Sequence, residues 1–231
     1  MQNAIAHYWQ QSDQFGHAIA YLLFIMSLAC WTLILAKAWT FWRVRQAAGK
    51  LGSFWQAPSI NDAVTLLRFS DKEKLFVSLA QTAVDAAEPQ QYFATLCADR
   101  DVSEVLTRAL RQALQNATIR LENGLTSLAS IGATAPFVGL LGTVWGIYHA
   151  LTNISLEGAV QIDQLAGPVG EALIMTALGL MVAIPAVLAF NVFNRINRIS
   201  LAELDGFAHD LHVHLSRQRE QNSHRASTQA S

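Results

Sequence analysis

Residues 166–195 read AGPVGEALIMTALGLMVAIPAVLAFNVFNR, and between Ala166 and Asn194 the one charged side chain is Glu171. About 20 such residues in a helix cover the roughly 30 Å of a bilayer's hydrocarbon core. The run closes on Asn194 and Arg195. Two more stretches of the same kind lie upstream. One is the uncharged run between Glu122 and Glu157, with its apolar body near Leu125 to Leu151. The other lies between Asp13 and Lys37, mostly apolar from Ala18 to Ala36 with His17 at its entrance. Trp39, Phe41 and Trp42 follow it as an aromatic belt.

The basic residues orient these spans. All 16 Lys and Arg fall between Lys37 and Arg120 or between Arg195 and Arg225, and residues 1–36 and 123–194 carry none. Such asymmetry is what the positive-inside rule produces. The chain therefore reads as an all-α membrane protein with N-terminus outside and C-terminus in the cytoplasm. The expected divisions are an outer N-terminus over 1–15, transmembrane helices over 16–38, 123–152 and 165–194, and an outer loop over 153–164. A cytoplasmic helical domain over 39–122, a cytoplasmic helix over 195–220 and a disordered tail over 221–231 complete it. At 14% charged and 52% hydrophobic residues the chain is charge-poor beside the roughly 25% of soluble domains. Its net charge of -1 gives no sign of a nucleic-acid partner.

The cytoplasmic parts carry helical periodicity. Val102, Leu106, Ala109, Leu110, Ala113, Ala117 and Leu121 recur at steps of three and four, and this helix is expected to run straight into the second span. Ile196, Ile199, Leu204, Phe207, Leu211 and Leu215 repeat the pattern, so the spans are expected to continue as long cytoplasmic helices. Cys30 and Cys97 fall in different environments and imply no disulfide.

Two stripes of small residues carry the functional reading. Gly132, Pro136, Gly139, Thr143, Gly146 and Ala150 follow one another at steps of four and three in the second span. Ala172, Thr176, Gly179, Ala183 and Ala186 do the same in the third. One reading is close helix packing with back-bonded threonines. The other is a narrow polar path. The two stripes are not expected to be buried within one three-span chain, which calls for a closed homo-oligomer. Glu171 lies within the third apolar run, and an intramembrane carboxylate is a functional candidate by default. It can also sit at the outer interface or bond a neighbouring subunit. Pro136 and Pro185 stand inside spans as tolerated kinks or as hinges. His209, His212, His214 and His224 fit no ligand spacing and read as solvated, so no metal is expected. No phosphate-binding loop, nucleophile elbow or zinc-protease pattern occurs, which leaves no catalytic residue and no nucleotide on this chain.

Residues 132–147, GATAPFVGLLGTVWGI, resemble the second-span signature of the ExbB/TolQ/MotA proton-channel family, and residues 166–195 resemble the third span of its ExbB and TolQ members. MotA-type members usually have four spans, and of the other two the VAIPAVLAFNVFNR run is closer to the ExbB type. The resemblance implies a non-enzymatic component of the bacterial inner membrane, its outer face periplasmic. It also implies a homo-oligomer of five around an ExbD-like single-span partner, with a TonB-like protein energised by proton flow. Protons are then the coupling ion, with no bound cofactor. Thr143, Glu171 and Thr176 match the family's polar residues near the ion path, and the principal proton-carrying aspartate belongs to the partner.

Overall fold

The computed structural model describes residues 14–87, 102–157 and 162–229. Its helices are α1 (Gln14–Ala48), α2 (Leu51–Trp55), α3 (Ile60–Ser70), α4 (Leu75–Ala87), α5 (Val102–Glu122), α6 (Leu125–Glu157) and α7 (Ile162–Gln229). Among the described residues there is no strand. α1, α6 and α7 contain the three stretches long and apolar enough to cross a membrane. Residues 1–13, 88–101 with Cys97 among them, 158–161 and 230–231 lie outside the described residues.

The chain divides into two units, Met1–Lys37 with Gly124–Phe193, and Ala38–Asn123 with Asn194–Ser231. This division coincides with the charge pattern, because Lys37 is the sole basic residue of the first unit. In that unit Ile19 and Leu23 of α1 pack with Ala135 of α6 and with Met175, Val182 and Ala183 of α7. The Phe15 and Trp145 rings lie 4.4 Å apart between centroids. Phe24, Ile25, Leu28, Phe137, Leu141, Val144, Met181, Ile184 and Leu188 stay exposed on the outside of the unit. An apolar surface of that extent is stable in lipid and not in water.

α5 does not run straight into α6. Asn123 and Gly124 interrupt it, with Gly124 at φ 82°. A side chain at Gly124 would be strained by that φ, and its Cβ would lie 3.3 Å from Leu33 Cδ2 and 3.6 Å from Lys37 Cε. The heptad pattern either side of the break looks continuous because apolar spacing does not register a single left-handed residue.

The second unit is a helical bundle. α4 packs along α5, and both α2 and α4 contact α3. α3 starts on Ser59, whose Oγ accepts from the Asp62 amide at 3.2 Å. The periodic residues Leu106, Leu110, Ala113, Ala117 and Leu121 are buried as the spacing predicts. Phe54 and Phe76 meet Phe207 edge-on, with centroids 5.1 and 5.7 Å away. Two expectations fail here. Residues 221–229 are the last turns of α7. They hold no Gly or Pro, and propagating an existing helix is far easier than nucleating one. His212 is not merely solvated, since its Nε2 lies 3.2 Å from both Ser103 Oγ and Thr107 Oγ1. Thr107 already donates to the Ser103 carbonyl at 2.7 Å, so its oxygen can only accept from the imidazole.

Among the described residues of this unit Asp71 is the buried carboxylate, 2% exposed. It follows α3, and its Oδ2 accepts the Val77 amide at 3.0 Å, which satisfies a free N–H in the first turn of α4. Burial pushes its pKa above the usual carboxylate value, against the pull of the Val77, Phe76 and Lys74 amides. A raised folded-state pKa means stability fully present below the unfolded value and lost as pH rises through the folded one. Thermal unfolding of the detergent-extracted protein is therefore expected to give a higher midpoint at acid pH than at neutrality from this group. Asp71→Asn removes that slope. Asp71→Ala strands the amides and costs about 1–3 kcal/mol.

Candidate functional site

The two small-residue stripes face each other inside one chain. A Cβ built on Gly132 would lie 2.6 Å from Val187 Cγ2 and 3.6 Å from Ala186 Cβ. On Gly139 it would come within 2.6 Å of the Met175 carbonyl oxygen, 3.1 Å of Gly179 Cα and 3.2 Å of Thr176 Cα. On Gly146 it would sit 3.2 Å from the Ala172 Cβ. Seven residues forward on α6, from Gly132 to Gly139 to Gly146, thus move seven back on α7, from Ala186 to Gly179 to Ala172. This is an antiparallel seam on a heptad register, close enough that at Gly139 and Gly179 even a Cβ lacks room.

The expectation that these stripes need neighbouring subunits for burial is therefore corrected. Ala172 (3% exposed) and Ala183 (4%) are buried within the single chain. The spacing showed which side of each helix is narrow. It could not show that the two narrow sides pair with each other, which depends on the length and path of the outer loop.

Thr143 is 4% exposed and donates from Oγ1 to the Leu140 carbonyl at 2.7 Å. It lies on the seam between the Gly139 and Gly146 contacts, and Thr176 lies opposite Gly139, so both threonines belong to one stretch of the seam. The Thr143 hydroxyl hydrogen is used within its own helix, while the oxygen lone pairs remain as acceptors. Pro136 is half-buried inside α6 and has no amide hydrogen to give the Gly132 carbonyl. Glu171 is part of α7, one residue before the Ala172 contact, and its side chain lies outside the described set.

Three residues of the seam were not among those the spacing singled out. Ala135 offers its carbonyl oxygen 2.6 Å from a Cβ built on Gly179, and Met175 does the same for Gly139. Gly142, with Ile19 Cγ2 and Met175 Cβ at 3.3 and 3.1 Å from its built Cβ, is where α1 joins the pair. Its place three residues after Gly139 was the available signal. Among the described residues no group of His, Cys, Asp or Glu could hold a metal ion.

Residues 75–205 match the model of the MotA/TolQ/ExbB proton channel family. The chain is 46% identical over 195 residues to a Xanthomonas campestris pv. campestris protein named Biopolymer transport protein ExbB, covering 82% of this chain and 77% of that one. It is 40% identical over 205 residues to the Neisseria meningitidis protein of the same name, covering 86% and 91%. A Pseudomonas aeruginosa Tol-Pal system protein TolQ matches at 38% over 116 residues, half of each chain.

Proposed function

Since the chain belongs to the MotA/TolQ/ExbB proton channel family, we propose that it is the ExbB-type component of an inner-membrane complex. That complex uses the proton motive force to energise outer-membrane import of iron chelates and similar substrates. The observation favouring this reading is coverage. The Xanthomonas campestris and Neisseria meningitidis ExbB-named relatives align over four fifths of the chain or more, and the Pseudomonas aeruginosa TolQ-named relative over half. The α6–α7 seam with Thr143 and Thr176 supplies a narrow, sparsely polar line beside which a partner's membrane carboxylate exchanges protons. Glu171 tunes its outer mouth. The working assembly is a homopentamer around an ExbD-like single-span helix, coupled to a TonB-like protein. The second reading, a TolQ subunit of the Tol-Pal constriction system, rests on the shared spans.

Expression in cells lacking either native gene separates the two. With its cognate partners, the chain is expected to restore uptake of a TonB-dependent iron chelate in the first strain and not to correct the detergent sensitivity of the second. The reverse outcome makes it TolQ-type.

The charge asymmetry predicts the orientation. A reporter active only outside the cytoplasm is expected to work when inserted in residues 153–164 and to fail in residues 50–87. Activity from the 50–87 insertion overturns the N-out, C-in topology.

A further inference from the structure

Phe69, in the last turn of α3, is 82% exposed, the most of any large apolar side chain among the described residues and more than Phe137 (71%) on the outside of the second span. Leu66, one turn earlier on the same side of α3, is 51% exposed. Single exposed apolar side chains are ordinary on a surface in water. A phenylalanine bared to that degree beside a leucine needs an apolar neighbour from outside the chain. Two contacts place this end of α3 near the bilayer. Glu73, four residues beyond Phe69, accepts from Arg43 Nη1 at 3.3 Å. The same guanidinium lies 5.2 Å over the Trp39 ring, and Trp39 pairs with Trp42 at 5.8 Å. Both indoles are 57% exposed and follow the first span directly, where such rings settle at the headgroup level. Four residues of chain cover at most about 14 Å, so Phe69 stays close to that belt.

The charge around Phe69 suits the same surroundings. Arg68, Lys72 and Lys74 are exposed, and no ion pair joins their side chains to another described residue. The neighbouring acids are already engaged, Asp71 by the Val77 amide and Glu73 by Arg43. We propose that the C-terminal half of α3 is an interfacial anchor for anionic phospholipid, in the leaflet from which α1 emerges. Leu66 and Phe69 enter the boundary between headgroups and acyl chains, while Arg68, Lys72 and Lys74 meet the phosphates. Apolar side chains flanked by basic ones are what holds a helix in that layer, and each basic group near an anionic surface adds its own attraction. The anchor ties the bundle of the second unit to the bilayer at a point apart from the helices that cross it. It rests on α1 crossing the membrane and is independent of what the protein conducts.

The test uses the full chain with Cys97→Ser, carrying one nitroxide label at a time, in vesicles of phosphatidylethanolamine and phosphatidylglycerol. Cys30, 1% exposed, is closed to the label. Collisions with oxygen, which concentrates in lipid, are compared with collisions with a water-soluble nickel chelate. Labels at Leu66→Cys and Phe69→Cys are expected to favour oxygen, as does one at Phe24→Cys on the lipid side of the first span. A label at Asp85→Cys, exposed near the far end of α4, is expected to favour nickel. Preference for nickel at Phe69→Cys overturns the anchor. A label there that is shielded from both reagents overturns it too, because a second copy of the chain then covers the face. Preference for nickel at Phe24→Cys sinks the membrane span instead. Arg68→Gln, Lys72→Gln and Lys74→Gln together are expected to lower the ratio of docked to free label at Phe69→Cys about 100-fold, the combined attraction of three basic groups to an anionic leaflet. Replacing phosphatidylglycerol with phosphatidylcholine is expected to do the same. An unchanged ratio in both overturns anionic lipid as the occupant.

Discussion

Gly139→Leu and Gly179→Leu chains are expected to lose energised uptake entirely. At both positions the obstacle is backbone: Cβ atoms there would lie 2.6 Å from the Met175 and Ala135 carbonyl oxygens. A flexible side chain could step aside, but a helical carbonyl moves only with its helix. Overpacking of this kind costs about 1–3 kcal/mol where a core can adjust. Here α6 and α7 must separate along the whole seam, which also displaces Ile19 from Gly142. Gly139→Ala is expected to show most of the effect already, because the clash begins at Cβ. Gly206→Ala is the control: nothing lies within 4 Å of its built Cβ, and alanine is the better helix former by about 1 kcal/mol. A disulfide between Gly146→Cys and Ala172→Cys reports the seam directly. It should form in membranes of the otherwise native chain and fail in the Gly139→Leu background. Normal uptake by Gly139→Leu with that disulfide intact contradicts the seam.

Removing the polar groups without disturbing the packing is the second large effect. Thr176→Val and Glu171→Ala are expected to abolish proton-driven uptake, a loss of about 100-fold or more for a group in a proton path, at unchanged protein level and partner association. Thr143→Val is the informative companion. Valine keeps the threonine shape on a face only 4% exposed. The threonine hydroxyl donates its hydrogen to the Leu140 carbonyl, and valine removes that bond together with the oxygen lone pairs, so a loss reports the whole hydroxyl. If all three variants supported wild-type uptake, the seam would be a packing device and the polar-path reading would fall. Titrating uptake against the imposed proton gradient separates slower conduction from lost coupling, since a conduction defect is relieved by a steeper gradient.

Part of this architecture was readable without coordinates. Membrane spans need length and apolarity, both of which are local, so the three spans follow from position along the chain. The small-residue stripes were legible for the same reason, as was the helix over residues 102–122. Gly124 was not: a break of one residue leaves the 3.6-residue pattern intact on either side. The helicity of residues 221–229 escaped because their polarity was weighed and their lack of helix breakers was not.

By itself, the sequence determined that this is a three-span membrane protein of a proton-channel family, because hydropathy, charge placement and two long span motifs are properties of the chain read in order. The tertiary structure alone decided that Gly132, Gly139 and Gly146 lie against Ala186, Gly179 and Ala172 of the same molecule. It alone decided that α7 turns Asn197 inward in place of Ile199. Both are choices of helix rotation, and a periodic pattern gives the width of a face without the identity of what covers it. Rotation is settled only when backbones meet, by whether a Cβ has room at 2.6 Å from a carbonyl oxygen.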